Sequence, residues 1–95
     1  MAGARTPVQT FISEIFQSKR VKDMVAEWSI DPEELAAIME KEFYEMGIYQ
    51  ALPLKYQDLM VETIIFRLRN SPDVRELRRK VRLAAQLRNK DRHRG

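Results

Sequence analysis

The four prolines stand at the seams of this chain and divide it into helical segments. Proline has no amide donor and its ring clashes with the preceding turn, so it suits a helix start and breaks a helix interior. Thr6-Pro7 and Asp31-Pro32 each set a capping side chain directly before a proline. Gln9 and Glu34 stand where a capping box puts its reciprocal partner, and Ile30 and Leu35 are spaced as a hydrophobic staple. Asn70-Ser71-Pro72-Asp73 reads as a loop and a further helix start, and Pro53 bars a continuous helix through 48–55.

Between these seams the apolar residues recur with helical period. Val8, Phe11, Ile12, Ile15 and Phe16 make one unbroken face. The phase then breaks at Lys19 and Arg20, and a new stripe of Val21, Met24, Val25 and Trp28 predicts a break or kink near Ser18. The third helix should end near Met46, with Leu35, Ile38, Met39, Phe43 and Met46 inward and Gly47 free to take the left-handed conformation that stops it. A fourth helix over 54–69 has Tyr56, Leu59, Met60, Val61, Ile64, Ile65, Phe66 and Leu68 around most of its circumference, which predicts the most buried position. A fifth over 72–89 carries Val74, Leu77, Val81, Ala84 and Ala85 on one side and Leu83 and Leu87 on a second. The fold class expected is all-α, a small irregular or orthogonal bundle of four to five helices. One domain should span residues 1–95, with loose ends at 1–5 and 90–95.

Composition narrows the chemistry. With 44% hydrophobic and 33% charged residues the chain is globular rather than disordered. It has no cysteine, which excludes disulfides, thiolate catalysis and cysteine-ligated metals. No apolar run approaches the roughly 20 residues of a membrane span. The first residues, Met1 to Thr6, lack the apolar core of a secretory signal and are poor in the Arg and Ser of a transit peptide, so a cytoplasmic location is expected, or an organelle matrix after removal of a presequence. The one histidine, His93, stands two residues from the C-terminal end, where catalysis would lack a held geometry. No Glu-x-x-His pair, EF-hand loop or glycine-rich phosphate loop occurs, and a helix–turn–helix around Gly47 is disfavoured by Phe43 and Pro53. The expectation is a protein without catalytic residues, metal or cofactor.

Charge is uneven. Residues 1–70 hold 8 Lys or Arg against 11 Asp or Glu, and residues 71–95 hold 9 against 3, so the last quarter carries the entire surplus of the +3 total. Arg75, Arg78, Arg79, Lys80, Arg82 and Arg88 surround the apolar stripe of the fifth helix, and Lys90, Arg92 and Arg94 follow in the tail. Like charges four residues apart repel by a few tenths of a kcal/mol, so an anionic surface would relieve them. Glu33, Glu34, Glu40, Glu42 and Glu45 make the third helix acidic, and they could serve as that surface within the fold or across a homodimer. The alternatives are an acidic patch on another protein, or RNA or DNA phosphates touched without base readout, since Phe66 is the last aromatic.

Tyr49, Leu52, Leu54 and Tyr56 in and beside the connector read either as core or as an apolar docking patch of the kind interfaces favour. Trp28 reads as a partly buried core anchor and the five methionines as core fillers. The function expected is a non-enzymatic adaptor or accessory subunit that docks onto a larger protein assembly through the basic helix and the connector. The alternative is a nucleic-acid-associated protein that grips phosphates with the same arginines.

Overall fold

The computed structural model describes the backbone of residues 5–94 and the side chains of residues 5–89, and nothing in the described part is β-strand. Five α-helices follow in order: α1 (Pro7–Ile15), α2 (Lys19–Trp28), α3 (Pro32–Glu45), α4 (Gln57–Arg69) and α5 (Pro72–Arg94), with one 3₁₀ turn at Leu54–Tyr56 before α4.

Local chemistry sets most boundaries. Thr6 Oγ1 accepts from the Gln9 amide at 3.1 Å while Gln9 Oε1 accepts from the Thr6 amide at 3.1 Å, a complete capping box. α1 stops where Lys19 and Arg20 break the stripe, and α2 begins there with a new face. At α3 the capping box does not form as expected: Asp31 Oδ1 accepts from the amide of Glu33, not Glu34, at 3.0 Å. α3 closes in a Schellman motif. The Gly47 amide donates to the Tyr44 carbonyl at 3.0 Å and the Ile48 amide to Phe43 at 2.9 Å, with Gly47 at φ 79°. Ser71 Oγ caps α5 by accepting from Val74 N at 3.3 Å.

The core gathers one face from each helix. Leu35, Met39 and Phe43 of α3 are fully covered, with α1 on one side and α4 on the other, and the Phe11 and Phe43 rings meet at 5.8 Å. Val8, Phe11, Ile12 and Ile15 come from α1, Val21, Met24 and Trp28 from α2, and Val61, Ile64, Ile65 and Leu68 from α4. α5 contributes Val74, with Leu77 packed at the edge.

Two expectations need correction. α4 is not buried around most of its circumference: Tyr56, Leu59 and Phe66 face outward, because a bundle this small has no fifth neighbour to cover that side. α5 also continues to Arg94 instead of ending at residue 89. Every described side chain of 82–89 is exposed, so this half of α5 leaves the body. The Cα radius of gyration is 15.6 Å, against about 12 Å for a compact chain of this length, and the longest dimension is 54 Å. Of the expected loose ends, Arg5 is described, and it donates to Ser13 Oγ at 2.6 Å; 1–4, and the side chains of 90–95, lie outside the described residues.

Among the described residues, two positions have positive φ, Gly47 at 79° and Ser29, the cap of α2, at 53°. Glycine reaches this region freely and other L-residues do so at a cost of about 1–2 kcal/mol. Gly47→Ala should therefore destabilise by about 1–2 kcal/mol, although no atom lies within 4 Å of the added Cβ. Ser29→Gly should stabilise by about 0.5–1 kcal/mol, the smaller gain reflecting the extra freedom of glycine in the unfolded chain. Urea unfolding of the two variants checks the opposite signs.

Candidate functional site

The outward face of α4 is the first unusual surface. Val61, Ile64, Ile65 and Leu68 fix the helix on the core, and at 100° per residue Leu59 and Phe66 then fall about 160° away. They are 65% and 69% exposed, one turn pair apart at i and i+7, with Thr63 between them and Asn70 beyond. Glu62 beside them is paired with Arg20 of α2. Tyr56 and Leu54, 45% and 81% exposed, begin this side at the 3₁₀ turn, where Lys55 Nζ lies 5.1 Å from the Tyr56 ring centroid. Tyr49 is exposed too, its ring stacked on Tyr44 at 5.5 Å. Leu52 does not join them; it is half-buried against the core.

The second surface is basic. The proximal half of α5 is held by Val74 and Leu77 on α3 and by a cation–π contact from Arg78 to Trp28, with Cζ 4.7 Å from the ring centroid. Trp28 is therefore a buried anchor, and its covered ring also positions a guanidinium. Arg75, Arg78 and Arg82 share one side of α5 by their spacing. Arg69, at the end of α4, joins them around a depression of about 180 Å³ whose remaining wall is Val74.

The acidic helix does not neutralise these arginines. Glu42, nearly buried, accepts from Arg67 Nε of α4 at 2.8 Å, and Glu45 lies 3.6 Å from the same guanidinium. Between α3 and α5 the ion pair has the reverse polarity, Lys41 Nζ donating to Asp73 Oδ2 at 2.9 Å, and this bond holds the Lys41 ammonium above its ordinary range. Arg79 pairs within its own helix, donating to Glu76 at 2.7 and 3.1 Å. That bond holds the Glu76 carboxyl below its usual range, so the pair is intact at neutral pH and is lost as pH falls through the lowered value. Among the described residues, Arg69, Arg75, Arg78 and Arg82 have no carboxylate within salt-bridge distance. Lys80 lies on the other side of α5, beside Glu34 and Asp73, and Arg88 is exposed on the projecting half. Lys90, Arg92, His93 and Arg94 have their side chains outside the described residues.

An open cleft of about 490 Å³ lies between α1 and α3, floored by Ile12, Phe16 and Ala36 and rimmed by Arg5, Glu33 and Glu40. Among the described residues no three acidic or histidine side chains converge as metal ligands. No protein family, curated protein or solved structure matches the chain.

Leu59 and Phe66, expected in the core, face outward, and Arg69 joins the basic surface although nothing in its local sequence marks it. The signal for the first pair was present: their phase differs from that of Val61, Ile64, Ile65 and Leu68 by nearly half a turn. Arg69 stands 13 residues from Arg82, and only the turn at Asn70 and Ser71 brings the two helices together.

Arg67→Ala should leave Glu42 and its partly buried charge unpaired and lower stability by about 1–3 kcal/mol. Arg79→Ala, at a solvated pair, should leave the unfolding midpoint essentially unchanged. Parallel denaturation curves test the contrast.

Proposed function

We propose that this protein is a non-enzymatic accessory subunit that docks onto a larger protein assembly, with the outer face of α4 as its principal contact. One observation carries the reading: Leu59 and Phe66 stand two-thirds exposed on the side of α4 away from the core. Fully covering a leucine or phenylalanine is worth about 1.5–3 kcal/mol, so exposing both forfeits much of what a small domain can gain. Single exposed apolar residues are ordinary, whereas anchors at i and i+7 on one helix are the pattern by which a helix lies in a partner's apolar groove. Tyr56 and Leu54 extend the same side, and tyrosine and phenylalanine favour interface centres.

The partner that fits is a protein presenting an apolar groove of about two helical turns, with polar groups at its edge for Thr63, Asn70 and the Arg20–Glu62 pair. Leu83 and Leu87, four residues apart on the outer side of projecting α5, supply a second, smaller contact. Polar residues elsewhere on the outside of the bundle, such as Glu14, Lys22 and Asp23, offer no comparable surface.

A photo-crosslinking residue placed at Leu59 or Phe66 in native cells should give one discrete adduct, and one at Lys22 should not. The adduct's partner, purified, should bind the chain, and Leu59→Glu/Phe66→Glu should weaken that binding at least 100-fold while leaving the thermal midpoint within a few degrees. Adducts that are identical from all three positions, or a purified partner indifferent to the double substitution, would refute the proposal. Sedimentation showing a tight homodimer that the double substitution dissolves would assign the face to self-association instead.

A further inference from the structure

We infer that Arg69, Arg75, Arg78 and Arg82 form a ladder that grips the phosphate backbone of a nucleic-acid duplex. This function is separate from protein docking and uses a different side of the molecule.

The ladder begins with an electrostatic imbalance. Four guanidiniums surround one shallow depression of about 180 Å³, and no acidic side chain lines it. Among the described residues, the carboxylates of α5 and of the end of α2 line other depressions. Glu27 borders the adjoining depression that Arg78 and Arg82 also line, and it makes no ion pair with either. Asp73 and Glu76 lie on the opposite side of α5, against Glu34 and Lys80. Four cations held this close repel one another, and a polyanion removes that repulsion while releasing its own condensed counterions.

The arrangement is also built rather than loose. Arg78 is half-buried with its guanidinium on the Trp28 ring. Arg75 and Arg78 sit in the half of α5 that Val74 and Leu77 fasten to the body. Arg82 stands where that half ends and the helix leaves the body. Arg69 is fixed in register by the tight α4–α5 turn, where Ser71 N donates to the Leu68 carbonyl at 3.2 Å.

The length of the row selects the ligand. Arg75 and Arg82 are seven residues apart, about 10 Å along the helix. A single phosphoryl group, with a charge of about −2 at most, cannot meet cations spread over that distance. A duplex presents a negative charge every 1.7 Å or so of its axis, so a row of this length faces several phosphates at once. Single strands are normally held by aromatic stacking as well as charge. The one aromatic ring at the ladder, Trp28, is buried and already covered by Arg78. Gln86 and Asn89, further along the same side of α5, extend the row with neutral donors suited to phosphate oxygens.

Fluorescence anisotropy with the full chain tests the ladder. The probes are 20-base-pair duplexes of mixed sequence, one DNA and one RNA, a single-stranded 20-mer and a phosphoserine peptide. Four phosphate contacts predict that duplex affinity falls about 150-fold between 50 and 200 mM salt. Arg75→Gln/Arg78→Gln/Arg82→Gln should reduce the slope of log affinity against log salt by about 2.7. Arg75→Gln/Arg82→Gln, which spares the contact with Trp28, should reduce it by about 1.8. Lys19→Gln/Lys22→Gln/Lys55→Gln removes as much charge as the triple ladder variant and should leave the slope unchanged, as should Leu59→Glu/Phe66→Glu. The duplex bound more tightly identifies DNA or RNA as the source of the backbone. Three results would overturn the ladder: a slope lost with Lys90→Gln/Arg92→Gln/Arg94→Gln but not with the ladder variants, single strands bound more tightly than either duplex, or arginine-dependent binding of the phosphopeptide without duplex binding.

Discussion

Covering α3 is the constraint from which the rest of this molecule follows. Leu35, Met39 and Phe43 are fully buried only because α1 packs on one side of the helix and α4 on the other. Phe11 reaches Phe43 from α1, and Ile64 and Leu68 complete the core from α4. A chain of 95 residues has little apolar surface to spare once that sandwich is closed. The outer face of α4 then has no neighbour, and α5 has core for about its first three turns. Projection of the last helix and exposure of Leu59 and Phe66 are two consequences of the same shortage of covering surface.

The sandwich also determines the electrostatics. Packing α4 on α3 brings Arg67 to Glu42, the carboxylate most in need of a partner because it is almost buried. Glu45 joins the same guanidinium. Glu42 and Glu45 are thereby committed to the fourth helix, Glu33 and Glu40 rim the cleft with α1, and the ion pair between α3 and α5 is that of Lys41 with Asp73. An acidic and a basic helix in one small domain would be expected to neutralise each other, yet here the direction of packing prevents it. Arg69, Arg75, Arg78 and Arg82 have no carboxylate partner among the described residues because Glu34, the α3 glutamate beside α5, lies against its other side.

How much of this could be read in advance depended on how local the cause was. The starts at Pro7, Pro32 and Pro72, the break before Lys19 and the stop at Gly47 are determined within a turn or two, and the structure has all five. The Schellman bonds at Gly47 follow from glycine being at ease with positive φ. Apolar residues around most of α4 do not bury it all round, because burial depends on how many neighbours pack on the helix and Tyr56, Leu59 and Phe66 have none over them. The extension of α5 beyond residue 89 has the opposite cause: helix-favouring Lys90, Arg92 and Arg94 sustain a helix where no apolar periodicity marks one. At the basic surface, Arg75, Arg78 and Arg82 were visible in the sequence because they share one helix. Arg69 and the ring beneath Arg78 were not, since both belong to other helices and approach only when the bundle closes.

The position of the ladder along α5 distinguishes it from the helix's other charges. An arginine on a freely projecting helix loses side-chain freedom when it binds, and that loss opposes affinity by roughly 0.5–1.5 kcal/mol for each immobilised side chain. Arg78 has already lost much of that freedom, because its guanidinium rests on the Trp28 ring within a packed part of the bundle. Arg69 and Arg75 flank it on backbone held by Ser71 and Val74. Arg88, by contrast, is exposed on the projecting half of the helix. Equal charges on one helix are therefore unequal as contacts. The anchored ones have a fixed spacing to match against a regular array of phosphates, and Arg88 adds attraction without register. Direction is also defined, since Leu83 and Leu87 face away from the ladder and the Leu59–Phe66 stripe belongs to another helix. A protein partner and a nucleic acid can thus be engaged together without competing for the same side chains.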